Sequence, residues 1–204
     1  MSAVDSLPAT AIDAIFSLDG RSLPHDHAQA LQLALCAVLP WLQTDAVAAV
    51  MPLKLAPGDP EQGLLSKRTR LILRVAANRM PELKALSGAE LSVAGCRLRL
   101  DDPHSRALRP IATLYAYKVA AVNDDEVSFM QDMEDELAEW AIGGEKVCGK
   151  RGHMAVSGQL QHTFSLMLHG LSPEQSLRLQ HVGLGPHRLL GCGVFVPHKS
   201  AAAV

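Results

Sequence analysis

Ile12-Asp13-Ala14-Ile15-Phe16-Ser17-Leu18-Asp19-Gly20 sets the reading of the chain. Ile12, Ala14, Phe16 and Leu18 alternate with Asp13, Ser17 and Asp19, the period of a strand with one buried face, and Gly20 ends it. Working outward, Asp26 with Gln29 three residues on has the form of a capping box, and Leu31, Ala34, Leu35, Val38 and Leu42 recur at helical spacing. Residues 46–55 read as a strand whose Pro52 points to an edge or an irregular end, and the Pro/Gly-rich residues 56–63 read as a loop. In residues 69–76, Leu71, Leu73 and Val75 alternate with Arg70, Ile72 and Arg74, which puts both arginines on one strand face. A short helix over 81–86 closes at Gly88, and residues 90–100 form a strand or hairpin bent at Gly95. The order is β-α-β-β-α-β.

The second half repeats that order. Residues 110–122 are strand-like and contain Tyr115 and Tyr117. Asp124 or Asp125 caps a helix with Val127, Met130, Met133, Leu137 and Trp140 on its buried stripe, and Gly143-Gly144 stops it. The basic segment Gly149-Lys150-Arg151-Gly152 reads as a turn between two strands, the second over 158–169. Ser172-Pro173-Glu174-Gln175 then supplies an N-cap, a proline at the first helical position and a capping-box glutamine. That helix ends at Gly183, and a last strand covers 189–196. The expectation is an α+β chain of two tandem ferredoxin-like βαββαβ units with antiparallel sheets, residues 1–103 and 104–204. This fold hosts many functions, RNA recognition on an open sheet face among them.

Composition narrows the class. With 204 residues, 48% hydrophobic and 20% charged, the chain can bury a sizeable core and is not a disordered one. No apolar run approaches the ~18 residues of a membrane helix, and the N-terminal stretch lacks the basic-then-apolar layout of a secretory signal, so a soluble cytoplasmic protein is expected, with no membrane partner. Cys36, Cys96, Cys148 and Cys192 never form a CxxC pair and read as reduced thiols. The net charge of −2 conceals a segregated distribution. Lys67, Arg68, Arg70, Arg74 and Arg79 occur between Gln62 and Pro81 without an acid. From Lys146 onward six Lys or Arg face the single acid Glu174, while most acids of the second half fall between Asp124 and Glu145. Such segregation is compatible with a polyanion footprint on one face, although a solvated surface is the commoner cause. Aromatic residues make up only 4% of the chain, so RNA, if bound, is gripped more through its backbone than by base stacking.

Two segments could carry chemistry. In His25-Asp26-His27, a capping Asp26 would put His27 at the first helical position, where the helix dipole favours the neutral imidazole that a general base requires. Free N–H groups at that helix end could hold an anion beside it. The competing reading is a surface capping residue. The second segment is Gly183-Leu184-Gly185-Pro186-His187-Arg188-Leu189-Leu190-Gly191-Cys192-Gly193, whose glycines permit positive φ and close approach of N–H groups to phosphate oxygens. It leaves a helix instead of opening one, so it is neither a Walker loop nor a dinucleotide fingerprint. A helix cap at Gly183 and a strand bulge at Gly191 or Gly193 are its structural alternatives. His25-x-His27 is the only close histidine pair and lacks accompanying carboxylates at ligand spacing, so no metal and no cofactor are expected. Ser157 and Ser165 have no nucleophile-elbow context.

Arg21-Ser22-Leu23-Pro24 followed by Asp26-His27, together with Gly-Leu-Gly-x-x-Arg-x-x-Gly-Cys-Gly-x-Phe-x-Pro-His-Lys over 183–199, resembles the CRISPR repeat-processing endoribonucleases of the RAMP superfamily, in particular their Myxococcus-type branch. The resemblance extends through Lys67-Arg68-x-Arg70 and Leu108-Arg109-Pro110. It implies a tandem ferredoxin-like protein that cuts CRISPR precursor RNA within each repeat without a metal and then usually keeps the repeat-derived end of the guide. It implies attack of the ribose 2′-OH on the adjacent phosphorus, giving 2′,3′-cyclic phosphate and 5′-OH ends and leaving DNA uncut. His27 matches the family's histidine of the first helix, as base toward the 2′-OH or acid toward the departing oxygen. Lys67, Arg68, Arg70, Arg74, Lys150, Arg151, Arg188 and Lys199, with Gly185, Gly191 and Gly193, are the expected RNA-binding residues. Partners implied are the repeat RNA and a CRISPR effector complex. A non-cleaving guide-RNA-binding subunit is the alternative. A two-histidine phosphoesterase is disfavoured because His198-Lys199-Ser200 is the only His-x-Ser/Thr motif on offer.

Overall fold

The computed structural model describes residues 10–198. The chain divides into two compact units, Met1–Leu108 and Arg109–Val204. In the first, β1 (Ala11–Asp19), β2 (Ser22–Pro24) and α1 (Ala28–Val38) precede β3 (Ala49–Val50), β4 (Gln62–Leu64) and β5 (Arg70–Ala76). They are followed by α2 (Met80–Lys84), β6 (Glu90–Val93), β7 (Cys96–Leu100) and β8 (His104–Ala107). The main sheet runs β3-β5-β1-β7-β6, with β8 also pairing β1, and all its pairs are antiparallel. The first strand therefore lies between β5 and β7, the strands on either side of α2 in the chain, with β3 at the edge, as the ferredoxin-like plan requires. The division falls after β8 instead of at residue 103, because His104–Ala107 pairs with β1 through Ile15↔His104 and Ile12↔Ala107.

The alternation read from the sequence orients this sheet. Ala14, Phe16, Leu71, Leu73, Val75, Leu98 and Leu100 are fully buried, and Leu31 and Leu35 of α1 are buried too. Each such Leu, Val or Phe side chain contributes about 1.5–3 kcal/mol through removal from water. The β6–β7 hairpin turns at Ala94 and Gly95, both at positive φ as a two-residue hairpin loop needs. Of the strand expected over 46–55 only Ala49–Val50 pairs. Met51 still donates to Ile72 O, and Pro52, lacking an N–H, ends the ladder. The expected loop over 56–63 instead reaches β4, which pairs with β2 as a separate two-stranded sheet.

The second unit contains β9 (Leu114–Ala121), α3 (Glu126–Glu139), β10 (Glu145–Val156), β11 (Gln159–His169), α4 (Pro173–Val182) and β12 (Val196–Pro197), with the antiparallel order β10-β11-β9-β12. Asp125 caps α3 through Ser128 N, and Ser172 with Gln175 forms the complete capping box of α4. Leu114, Val119, Met133, Leu137, Leu166, Leu168 and Leu179 share the core with Phe129 and Phe164, whose rings stack at 4.7 Å. Val127 and Trp140 are exposed, so the buried stripe of α3 runs through Phe129, Met133 and Leu137 instead. Val38 of α1 is likewise exposed, and Cys36 takes the inward position. Gly149–Gly152 is no turn. It continues β10 through a register shift between Cys148 and Arg151, and the chain reverses at Ser157 and Gly158. The strand expected over 189–196 shrinks to Val196–Pro197, because residues 188–190 form a 3₁₀ turn and Gly191 and Gly193 adopt positive φ.

Candidate functional site

His27 is positioned by the segment in front of α1. Ser22 Oγ donates to Gln62 Oε1, His25 N to Glu61 O at 3.1 Å and Leu65 N to Arg21 O at 3.0 Å, so the β2–β4 sheet fixes the approach to the helix. Asp26 is not the cap and makes no capping box with Gln29. The helix begins one residue later than the Asp26 cap implies, with His27 itself at the N-cap, its carbonyl accepting from Leu31 N at 2.8 Å. No acidic residue occupies the first turn, so the positive end of the helix dipole is not offset there.

The imidazole is 9% exposed, and its Nδ1 lies 2.8 Å from Pro24 O. A carbonyl oxygen only accepts, so Nδ1 carries the hydrogen and the neutral ring keeps its lone pair on Nε2. Nε2 is then the nitrogen able to take a proton as a base or, once protonated, to give one. Pro24 is the orienting residue that pattern reading missed, and its i−3 spacing from His27 was the available signal. His25, by contrast, is exposed and holds Asp59 O at 3.1 Å through Nε2.

The expected RNA-binding residues are placed in different parts of the chain. Lys67 and Arg68 are exposed on a turn closed by Thr69 N to Ser66 O at 2.9 Å. Arg70 serves that turn, donating from Nη1 to Lys67 O and Thr69 O at 2.7 and 2.8 Å. Lys150 and Arg151 are exposed on β10, Arg151 lying 3.5 Å from Asp124 and over the Phe164 ring at 5.7 Å. Arg74 is a correction. Its side chain is wholly buried, with Nε 2.9 Å from Asp13 Oδ1, and burial holds its guanidinium below the usual arginine range while Asp13 opposes that shift. It cannot meet RNA without leaving the sheet.

The glycine-rich segment is the second correction. Gly185 N donates to Glu136 Oε1 at 2.9 Å, Gly191 N to Arg188 O at 3.1 Å and Gly193 N to Lys118 O at 2.7 Å. These N–H groups, which the sequence offered to phosphate oxygens, are engaged within the protein. The glycines instead allow the loop to fold on itself: Leu184 N donates to Gly193 O, and a Cβ on Gly193 would overlap the Leu184 carbonyl. Arg188 lies against Gly183, Nε standing 3.0 Å from where a Cβ would be. Lys199 lies outside the described residues. Among those residues no three His, Cys, Asp or Glu side chains gather as a metal site, and no helix is long and apolar enough to cross a membrane.

Two ferredoxin-like units, one carrying an oriented histidine at its first helix and the other a self-packed glycine loop after its last helix, define a duplicated RAMP-type protein. The family model described as Cas6 Crispr matches residues 12–200. The CRISPR-associated endonuclease Cas6 of Myxococcus xanthus (strain DK1622) is 34% identical over 194 residues, covering 95% of this chain and 84% of that one. Among solved structures, a CRISPR associated protein Cas6 superposes with TM-score 0.66 at 10% identity, covering 93% of this chain and 99% of the other. A RAMP protein binding different RNA substrates gives TM-score 0.62 at 11% identity, with 91% and 98% coverage. The chain belongs to the Cas6 family.

Proposed function

We propose that this protein is an endoribonuclease that processes CRISPR precursor RNA, cutting within each repeat and retaining the guide it releases. The single observation that carries the reading is the His27 imidazole, held by Pro24 O through Nδ1 at the mouth of α1 so that Nε2 is the proton-handling atom. Family membership and the endonuclease name of the Myxococcus relative support it.

Nε2 takes the proton of the ribose 2′-OH. The 2′ oxygen attacks the adjacent phosphorus, the bond from phosphorus to the 5′ oxygen breaks, and that oxygen takes a proton from solvent, giving 2′,3′-cyclic phosphate and 5′-OH ends. In the reverse assignment the protonated ring supplies the leaving-group proton and the 2′-OH loses its proton to solvent. The nucleophile is internal to the RNA, so no water needs activation by a metal, and DNA lacks the attacking group. Exposed Lys67 and Arg68 stabilise developing phosphorane charge, and Lys150 and Arg151 grip backbone phosphates on the second unit. The His27→Ala variant tests this: cleavage of the cognate repeat in EDTA is lost while RNA binding persists. Retained cleavage overturns the role of His27, and a wild-type protein that binds repeat RNA without cutting it is a guide-holding subunit.

A further inference from the structure

The first unit carries a cleft of about 940 Å³ whose wall includes Arg21, Arg97 and Arg99. None of these belongs to the basic stretches read from the sequence. The register explains their convergence. Asp19 pairs with Arg99 and Ser92 with Arg97, so both β7 arginines project from the sheet face opposite the buried Leu98 and Leu100. Gly20 passes so close to β7 that a Cβ there would stand 3.0 Å from Arg97 O, which brings Arg21 up beside the pair. Arg97 is 79% exposed.

We infer that this cleft is a phosphate-binding site for the RNA strand that reaches His27, an inference resting on the RNA-processing reading above. Two arguments favour a polyanion over a compact anion. Arg97 and Arg99, two residues apart on one strand face, are spaced by about 7 Å, so they form a series along the strand instead of converging on one point. Guanidinium forks match phosphate oxygens two at a time, and phosphate contacts of this kind fix register without reading sequence. Continuity with the histidine supplies direction. Arg21 leads through extended β2 to Pro24, a span of about 10 Å, and Pro24 O orients the imidazole. The acids in the wall set a threshold: Glu90 lies 3.7 Å from Arg97, and Asp19 faces Arg99, so incoming phosphates displace carboxylates.

The test uses full-length protein and fluorescein-labelled repeat RNA with a 2′-deoxy substitution at the cleaved linkage, with uncut all-ribo RNA for kinetics. Arg97→Gln with Arg99→Gln weakens binding about tenfold and lowers the slope of log K against log salt by about 0.7 to 1 per arginine. Glu90→Gln tightens binding. Arg97→Lys with Arg99→Lys keeps the charges, so it retains most of the salt slope and controls for folding. Unaltered affinity and slope in the glutamine variant, with wild type cutting the repeat normally, overturn the cleft while leaving the enzymatic reading intact. Wild type that binds but does not cut removes the enzymatic reading and leaves the cleft to the binding arm. Wild type that does not bind at all overturns both.

Discussion

Arg74 donates from Nε to Asp13 Oδ1 at 2.9 Å across the β1–β5 register, while Arg106 reaches the other oxygen of the same carboxylate, also at 2.9 Å. One buried acid thus ties three strands together. The partners are not equivalent, because the Arg74 side chain is fully buried and that of Arg106 is 53% exposed. Removing Asp13 takes away the carboxylate that faces the buried Arg74 cation, so Asp13→Ala destabilises by about 3–5 kcal/mol. Arg106→Ala gives up a solvent-screened pair and costs at most about 1 kcal/mol. Urea unfolding of the two variants measures the contrast, and equal costs would sink the assignment.

That arginine also shows what a sequence can and cannot tell. Alternation in residues 12–19 and 69–76 was enough to place both strands, because period-two polarity leaves a direct trace, although residues 11–16 and 73–76 turn out to be buried on both faces. It correctly put Arg70 and Arg74 on one face but could not reveal that the middle of that face is buried, since Asp13 lies 61 positions away in the chain. The glycine-rich segment failed for a related reason. Its composition announces tight backbone, and the same composition suits phosphate or self-packing until the destinations of its N–H groups are known. His27 was legible as a helix-start residue, whereas the Pro24 contact that selects its tautomer depends on the bend before α1. Arg97 and Arg99 were written in the Arg-Leu-Arg-Leu alternation of β7, and only their register against β1 shows what they line.

The two expected capping boxes now make opposite predictions. Ser172 accepts from Gln175 N while Gln175 Oε1 accepts from Ser172 N, so Ser172→Ala costs about 0.5–2 kcal/mol. Asp26 is exposed and caps nothing, so Asp26→Ala stays within about 0.5 kcal/mol. Thermal unfolding of both variants decides it: a large Asp26 effect would restore the cap that the sequence suggested.

Glycines at positive φ differ just as sharply. Gly88 has φ +75 with nothing near a would-be Cβ, so Gly88→Ala bears only the conformational cost, about 1 kcal/mol. Gly193 has φ +63, and its Cβ would overlap the Leu184 carbonyl, which must move and take its hydrogen bond with it. Gly193→Ala therefore costs more than about 3 kcal/mol or prevents folding of the second unit. Comparable denaturant midpoints for the two variants would remove the packing role assigned to this loop.

On the proposed RNA surface, Lys67 and Arg68 are free to contact phosphate in a way Arg70 is not. Lys67→Ala with Arg68→Ala reduces the salt slope of RNA binding by about 0.7 to 1 per residue and weakens affinity evenly across RNA sequences. Arg70→Ala loosens the turn that presents them, so it lowers the unfolding midpoint as well as affinity. Filter binding over a salt series, beside thermal melts, separates the two effects, and an Arg70 variant that loses slope without losing stability would make that arginine a direct contact.

Alkaline pH probes the second core through Cys192. Burial pushes its thiol up from 9.0 to about 11, Lys118 opposing the shift, and Sγ faces Met154 Sδ at 3.3 Å. Between pH 9 and 11 the unfolded chain has released this proton while the folded chain still holds it. The unfolded state then binds fewer protons, and stability falls as pH rises. The full shift corresponds to about 2–3 kcal/mol, all of it retained below pH 9 and lost by pH 11. Cys192→Ala carries a constant packing cost at every pH and removes this slope. Urea midpoints taken from pH 8 to 11 should converge as pH rises. If wild type and variant instead decline in parallel, the alkaline loss belongs to other groups and the Cys192 thiol is not held protonated by its burial.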